Sequence, residues 1–262
     1  MTKKLFWSPG SKEKMMKRQN LEEYLNVLFM RQNLSDRKGL TYLFSQLADA
    51  ESSNGGEIKI FEQLIDYVQD PGLKKVLAVH KADEERHEKM FLHYIELMGT
   101  NPITLGDDQR VLSLLERELG LLKRPVKCDE DVVQLILLLQ VIEERAIQEF
   151  EALKVAFEKD LVIVNLLETI IKDERKHLVY CQKVATFYQQ DSQKIEQTLN
   201  RFRKIEEYCY RQLSANHMTY CMQEDLIKGS FWRRFWGFMG QLGNLKINGV
   251  KRAARQAIMQ AA

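Results

Sequence analysis

The sequence has few of the residues that interrupt helices. Only 4 prolines and 13 glycines occur among its 262 residues, and runs of alternating β-branched residues are scarce. Proline and glycine are the strongest breakers of helices, and strands favour alternating β-branched residues. The sequence therefore predicts an all-α protein. Its hydrophobic fraction of 45% is enough for a sizeable core and excludes a disordered or fibrous class.

Cysteine is also sparse and is not clustered. The four cysteines are widely spaced and form no C-x-x-C pair, which excludes a cysteine-rich metal module. The segment Met1–Lys17 is basic but has no continuous apolar stretch of the kind found in a signal peptide. Reduced thiols and a cytoplasmic location are expected.

Long hydrophobic runs and an excess of one charge are missing as well. No stretch of about 18 uncharged apolar residues occurs, so no membrane-spanning segment is expected. The 39 basic and 37 acidic residues leave a formal net charge of +2. Overall charge therefore indicates neither a nucleic-acid partner nor an acidic substrate.

Apolar residues at helical spacing predict four long helices, at 36–68, 71–98, 129–159 and 163–187. Asp36 is a candidate N-cap of the first helix, and Pro71 suits the first turn of the second. The short connection before Pro71 predicts an antiparallel hairpin, and a long connection with one short helical piece leads to a second hairpin. The predicted segments are a basic, helical N-terminal extension at 1–35, a four-helix bundle at 36–190, a further helical segment at 191–228 and a basic, aromatic, amphipathic tail at 229–262.

One motif occurs twice in this plan. The second and fourth predicted helices each contain D-E-x-x-H, as Asp83–His87 and Asp173–His177. A Glu and a His three residues apart project from the same face of a helix, so each pair, Glu84 with His87 and Glu174 with His177, can bind one metal ion.

The first and third helices each supply a carboxylate on their apolar face, Glu51 and Glu144. An unpaired carboxylate is costly to bury, and a metal ion removes that cost. Each lies about one helix hairpin away from its motif, 33 residues before Glu84 and 30 residues before Glu174. The predicted ligand set is Glu51, Glu84, His87, Glu144, Glu174 and His177.

This set suits a pair of metal ions. Four carboxylates with two imidazoles favour two iron ions, with manganese as an alternative at either position, over a single zinc ion. One carboxylate from each half can bridge the two ions. The neighbouring Glu143 is predicted to face away from the site. Taking Glu144 for Glu143 is the error most easily made in this ligand set. His80 shares the stripe of Glu84 but is left out of the set as a core histidine.

The doubled motif and its two partner carboxylates resemble the ferritin-like di-iron carboxylate superfamily over residues of about 36–190. The resemblance implies a ferritin-like four-helix bundle with extra C-terminal helices. It also implies that Asp83 and Asp173 hydrogen-bond the ligand histidines from outside the metal shell.

Two branches of the superfamily fit less well. The segment Ala50-Glu51-Ser52 is similar to rubrerythrins, but there is no cysteine-rich electron-transfer module, and Val141 stands where rubrerythrins have a further glutamate. A ferritin cage would be crowded by the long C-terminal region, so iron storage is not favoured.

Aromatic and basic residues alternate in the C-terminal tail, from Phe231 to Met239. This composition suits the headgroup region of an anionic membrane. The tail therefore suggests a peripheral position at the inner face of a membrane, with Lys3–Trp7 as a second contact. Covering the end of the bundle or forming a homodimer interface explains it equally well. Nucleic-acid binding is not expected.

The resemblance implies a di-iron oxidoreductase, an oxygenase or oxidase that activates dioxygen or peroxide with electrons from an unknown donor. The tail adds the hypothesis of an apolar, membrane-derived small-molecule substrate. A ferroxidase or peroxide scavenger, and a non-redox binding or assembly protein, remain alternatives.

Overall fold

The computed structural model describes residues 9–52 and 56–259, and every regular element in these ranges is a helix. The all-α prediction is confirmed for this part of the chain. The suggested membrane contact at Lys3–Trp7 lies outside the described residues. A short 3₁₀ helix lies at Asp107–Gln109. The α-helices are α1 (Pro9–Asn33), α2 (Arg37–Glu51), α3 (Ile58–Tyr67), α4 (Pro71–Leu97), α5 (Val111–Leu119), α6 (Asp129–Ala156), α7 (Leu161–Tyr188), α8 (Ser192–Gln223) and α9 (Ser230–Met259).

Aspartate side chains begin three of the central helices. Asp36 accepts a hydrogen bond from the backbone N–H of Gly39 at 2.9 Å, as predicted for an N-cap. Asp70 caps α4 in the same way, with Pro71 in its first turn. Asp160 accepts from two backbone N–H groups at the start of α7. These caps fix where α2, α4 and α7 start.

Five helices form the centre of the molecule, with α2 and α3 in place of the first predicted helix. Helices α2 and α3 both pack against α4, α6 packs against α7, and α4 packs against α7. The connection from α4 to α6 contains α5. The two predicted hairpins and the long connection between them are therefore present.

The first predicted helix is not continuous. The helix predicted over 36–68 ends at Glu51, and α3 begins only at Ile58, so the prediction of one uninterrupted helix is wrong. The intervening sequence is S-S-N-G-G-E, and Ser, Asn and Gly are all weak helix formers. A Cβ at Gly56 would lie 2.4 Å from the carbonyl oxygens of Ala50 and Ser52, so the chain can turn back this closely only with glycine there.

The core consists of two apolar layers with a polar layer between them. Along α4, Leu77 belongs to one apolar cluster and Phe91 to the other. Along α7, Cys181 and Ile170 divide in the same way. The residues between them on both helices include the doubled motif. The motif is therefore shielded by hydrophobic side chains on both sides.

Helices α1, α8 and α9 cover the outside of this centre. Helix α8 packs on α6, α9 packs along α8, and α1 packs on α6. The tail is a single helix whose aromatic residues divide between the interior and the surface: Trp236 is buried, whereas Phe231 and Phe238 are exposed. In the ranges that the structure describes, no helix is long and apolar enough to cross a membrane.

Candidate metal centre

Two glutamates and two histidines from the doubled motif meet between α4 and α7. Nδ1 of His87 lies 2.9 Å from Glu84 and 3.2 Å from Glu174, and Nδ1 of His177 lies 2.7 Å from Glu174 and 3.2 Å from Glu84. All four side chains are buried. Each histidine therefore contacts the glutamate of its own helix and that of the other helix, which places Glu84 and Glu174 at the middle of the cluster.

Two further glutamates flank this pair, one from each hairpin. Glu51, the last residue of α2, joins the group Glu51, Glu84, His87 and Glu174. Glu143, on α6, joins the group His80, Glu84, Glu143, Glu174 and His177. Within each group the ligand atoms lie within 4.8 Å of one another. Because Glu84 and Glu174 belong to both groups, the two groups of potential metal ligands are adjacent and share two carboxylates.

The prediction of Glu144 as a ligand needs correction. Glu144 lies on the side of α6 that faces α8 and accepts two hydrogen bonds from Arg203, at 2.9 and 2.7 Å. Glu143 is the buried residue, and its carboxylate lies 3.6 Å from Nδ1 of His177. The prediction assumed that α6 has one apolar face. In fact α6 is apolar nearly all round from Val132 to Ile142, since α8 covers its outer side, and its sequence pattern does not show which side faces α7.

His80 is also part of the cluster, although it was predicted to be an ordinary core residue. Its Nε2 lies 2.5 Å from Glu84 and 2.9 Å from Glu143, and its ring stacks on that of His177 at 3.5 Å between centroids. It precedes Glu84 by four residues, which puts both side chains on one face of α4. This shared stripe was visible in the sequence and could have identified His80 as a ligand.

Glu57 is a further buried carboxylate that the sequence analysis missed. It sits where the chain re-enters the core after the break, directly before α3. Burial, with repulsion from Glu51 and Glu174, raises its pKa well above the ordinary value. One of its carboxylate oxygens has no hydrogen-bond partner. The sequence predicted a continuous helix here, so the position of Glu57 beside the cluster was not expected.

The two aspartates of the motif lie at the outer edge of the cluster, and each approaches the histidine of the opposite helix. Asp83 lies within hydrogen-bonding distance of Nε2 of His177, at 3.4 Å. Asp173 comes within 3.7 Å of Nε2 of His87 and accepts a hydrogen bond from Arg86 at 2.6 Å. The hydrogen bond expected by resemblance is thus present for Asp83, whereas Asp173 stands slightly too far from its histidine.

The cluster carries more negative charge than its surroundings compensate. Burial, together with repulsion from Glu174, raises the pKa of Glu51, Glu84 and Glu143 well above the ordinary value. Burial acts in the same direction on Glu174, but hydrogen bonds with Glu143 and the two motif histidines outweigh it and lower its pKa. Burial also lowers the pKa of His80 well below its usual value, which favours a neutral imidazole able to bind metal.

The donor set fits two divalent cations. Nδ1 of His80 has no hydrogen-bond partner within the described residues, and Nε2 of His80 and one oxygen each of Glu84, Glu143 and Glu174 lie close to neighbouring polar atoms without the geometry of a hydrogen bond. Buried polar atoms are nearly always partnered, so this concentration of unsatisfied donors and acceptors needs an explanation. Metal ions would satisfy these atoms and neutralise the carboxylates. The cluster is therefore compatible with a metal site.

A cavity of about 320 Å³ adjoins the cluster. Glu51 and Glu57 form part of its wall, which brings it to the edge of the first group of ligands. The rest of the wall comes from α1, α2, α5, α6, α8 and α9 and is largely apolar, with Phe29, Leu43, Ile142, Phe150 and Trp236 among its residues. Its volume is at the lower end of the range of about 300–1,000 Å³ that is usual for small-molecule sites.

Both arginines of the cavity wall are paired with carboxylates, and a third polar pair lies beside them. Arg145 donates two hydrogen bonds to Glu206, both 2.9 Å long. Tyr210 donates to Glu149. The pair between Arg110 and Asp49 is 2.8 Å long. The wall therefore offers no unpaired arginine to bind an anionic ligand.

Comparisons of the chain with protein-family models, with curated proteins and with solved structures gave no match. The interpretation of the site accordingly rests on its own residues and geometry.

Proposed function

We propose that this protein is a di-iron oxidoreductase on a ferritin-like bundle, and that it uses dioxygen or peroxide to oxidise a neutral, apolar small molecule. The observation that carries the proposal is that the apolar cavity meets the buried His/Glu cluster at Glu51 and Glu57. A site for redox metals and a site for an organic molecule then share one wall.

The donor set favours iron. Carboxylates and imidazoles in roughly equal measure suit iron, whereas a carboxylate-only set suits manganese or magnesium and a thiolate set suits zinc. Four glutamates, Glu51, Glu84, Glu143 and Glu174, balance the charge of two divalent ions. Manganese at one or both positions remains within the chemistry of these ligands. A bound metal pair would supply the electron transfer between the oxidant and the substrate.

The protein residues would hold the ions and keep the site dry. Glu84 and Glu174 belong to both ligand groups, while His87 and His177 would each bind from a helix that also supplies one of these glutamates. Asp83 fixes the ring orientation and tautomer of His177 through the Nε2 contact. The apolar layers above and below exclude water, which strengthens every electrostatic interaction within the cluster.

The cavity favours a neutral substrate. A charged molecule would lose its hydration on entry and find the arginines of the wall already paired with carboxylates. An apolar molecule loses no favourable hydration when it enters such a cavity. A ferroxidase or peroxide scavenger needs no organic pocket, so these alternatives do not account for the cavity. A non-redox binding role does not account for the buried His/Glu cluster.

The first test is metal content. The chain is loaded anaerobically with Fe(II), freed of excess metal and assayed for iron, and its absorption is then followed on exposure to oxygen. About two irons per chain and an oxygen-dependent absorption band are expected. Absence of stoichiometric metal would refute the metal centre and favour a non-redox role.

The second test concerns the cavity. Ala146 lines it and is half-buried, so Ala146→Phe fills part of the space without touching a proposed ligand. Ala78→Phe, on the exposed surface of α4, is the control. We expect Ala146→Phe to keep its iron and its reaction with oxygen but to lose binding of neutral apolar molecules. Iron oxidation with no apolar ligand bound by the wild-type chain would instead favour the ferroxidase alternative.

A further inference from the structure

Helix α9 presents two different faces. Its inner face carries Trp236 and Ala254, which are buried against the rest of the protein. Its outer face carries Phe231, Phe238 and Leu242, with exposed fractions of 68%, 57% and 37%. The spacings of seven and four residues place these three side chains on one stripe of the helix. Two phenylalanines and one leucine are thus exposed to solvent in a single row along the helix.

The charge of α9 is one-sided. Its 30 residues contain six basic residues, Arg233, Arg234, Lys246, Lys251, Arg252 and Arg255, and no acidic residue. Arg234 is exposed and lies on the same stripe as Phe231 and Phe238, three and four residues away. Arg233, by contrast, is paired with Asp225. A row of exposed aromatic residues on a helix with basic residues only is the composition of helices that lie in the interface of an anionic bilayer.

Aromatic contacts connect this outer face with the cavity. Ring centroids are 5.0 Å apart between Phe231 and Trp232, 5.7 Å between Trp232 and Phe235, and 4.9 Å between Phe235 and Trp236. Trp236 in turn packs edge-on against Phe29 at 5.0 Å, and both residues line the cavity. An unbroken series of aromatic side chains therefore runs from the exposed stripe to the cavity wall.

We propose that the outer face of α9 docks the protein on an anionic lipid bilayer. The exposed aromatic residues enter the headgroup region, and the exposed Arg234 on the same stripe contacts a lipid phosphate; a basic residue near an anionic surface contributes about fivefold in affinity. The helix lies in the plane of the interface, since no helix in the described ranges is apolar enough to cross it. Docking in this orientation would bring the cavity to the membrane surface, where a neutral molecule dissolved in the lipid could reach it; this last step rests on the proposed function.

The other occupants of this face fit less well. A second copy of the chain would bring two α9 helices together, each with six basic and no acidic residues, and like charges would oppose that contact. A nucleic acid would be attracted by the basic residues but would leave Phe231 and Phe238 without an apolar environment. A lipid surface satisfies both the charge and the aromatic side chains.

Vesicle co-sedimentation of the metal-free, full-length chain tests the docking face separately from any metal chemistry. The probes are vesicles of phosphatidylcholine alone and of phosphatidylcholine with phosphatidylglycerol. We expect binding to the anionic vesicles only, weakened when salt is raised from about 0.1 M to 1 M. The double variant Phe231→Ser/Phe238→Ser should bind at least about tenfold more weakly.

Phe187→Ser is the matched control, because Phe187 is 58% exposed and lies on α7. It should bind as the wild type does, and circular dichroism should show all variants folded, since the altered side chains are exposed. Retained binding by the double variant would overturn the proposal. Binding to nucleic acid without binding to vesicles would also overturn it. The same holds if the wild type does not bind vesicles but forms a concentration-dependent dimer that is lost in the double variant.

Discussion

Glu143 and Glu144 are adjacent in sequence but lie in opposite environments, which makes them a matched pair of test positions. The side chain of Glu143 is 3% exposed inside the cluster, whereas that of Glu144 is 28% exposed and paired with Arg203. Glutamine at either position keeps the size of the side chain and removes its charge. If the cluster binds metal, Glu143→Gln should lose metal and Glu144→Gln should not.

The stabilities of the two variants should also change in opposite directions. In the metal-free protein, burial and repulsion from Glu174 act against the charge of Glu143, so Glu143→Gln should be more stable than the wild type by about 1–3 kcal/mol. Glu144→Gln loses a partly exposed ion pair and should be less stable by about 0.2–1 kcal/mol. For a chain of this length, each kcal/mol corresponds to roughly 2–4 °C in Tm.

Metal then reverses the order. Each of two ions present at 100 times its Kd stabilises the folded state by about 2.7 kcal/mol, or about 5.4 kcal/mol together, which exceeds the gain expected from Glu143→Gln without metal. The wild type and Glu144→Gln should gain this increment, and Glu143→Gln should lose most of it. The assay is thermal unfolding with and without Fe(II) under anaerobic conditions, together with iron analysis. Two irons in Glu143→Gln, or loss of iron in Glu144→Gln, would refute the assignment of the ligands.

Three further outcomes are expected. Metal-free protein should lose stability as pH rises above about 4.5. Four cluster carboxyls have raised pKa values and one has a lowered pKa, so the folded chain holds more protons than the unfolded chain. Urea unfolding between about pH 5 and pH 8 measures this change, and a stability that rises steadily over that range would contradict the prediction. His80→Ile should weaken binding of one of the two ions by more than about tenfold and leave the other nearly unchanged, as seen in stepwise metal titration; equal weakening of both ions would exclude a role at one position only. Asp83→Asn should lower metal affinity by about 10- to 100-fold in chelator competition, and an unchanged affinity would show that the contact with His177 does not support the site.

Much of the architecture follows directly from the residue pattern. The apolar periodicity, the aspartate caps and Pro71 locate the helices of both hairpins. The repeated motif brings Glu84, His87, Glu174 and His177 together because the residues of each pair share a helix face, and that relation depends on local geometry alone. Glu51 also joins the cluster, although it ends α2 and does not lie within a continuous helix as predicted.

The misplaced and missing residues depend on packing between distant segments. The choice between Glu143 and Glu144 is set by α8, whose Arg203 pairs with Glu144 and occupies the outer side of α6. The break before α3 follows from weak helix formers, but the inward position of Glu57 follows from how the chain re-enters the core. No period within a single helix encodes such relations.

The two metal positions are not equivalent, although the sequence repeats. Four residues before Glu84 stands His80, whereas the same register before Glu174 holds the buried Ile170. The second group therefore has two imidazoles, His80 and His177, and its outer side is covered by aromatic rings, with Phe61 4.2 Å from His80. The first group has three carboxylates, as the second does, but only one imidazole.

This difference has a consequence for reactivity. The cavity borders Glu51 and Glu57, so a molecule in it approaches the first group, which has one imidazole, and not the second, which has two. Carboxylates can change between one-oxygen and two-oxygen binding, whereas a stacked imidazole such as His80 cannot make an equivalent change. If the proposed metal pair is bound, the carboxylates of the first group, beside the cavity, would be the ligands placed to rearrange for an incoming oxidant, while the stacked His80 would hold the second position fixed.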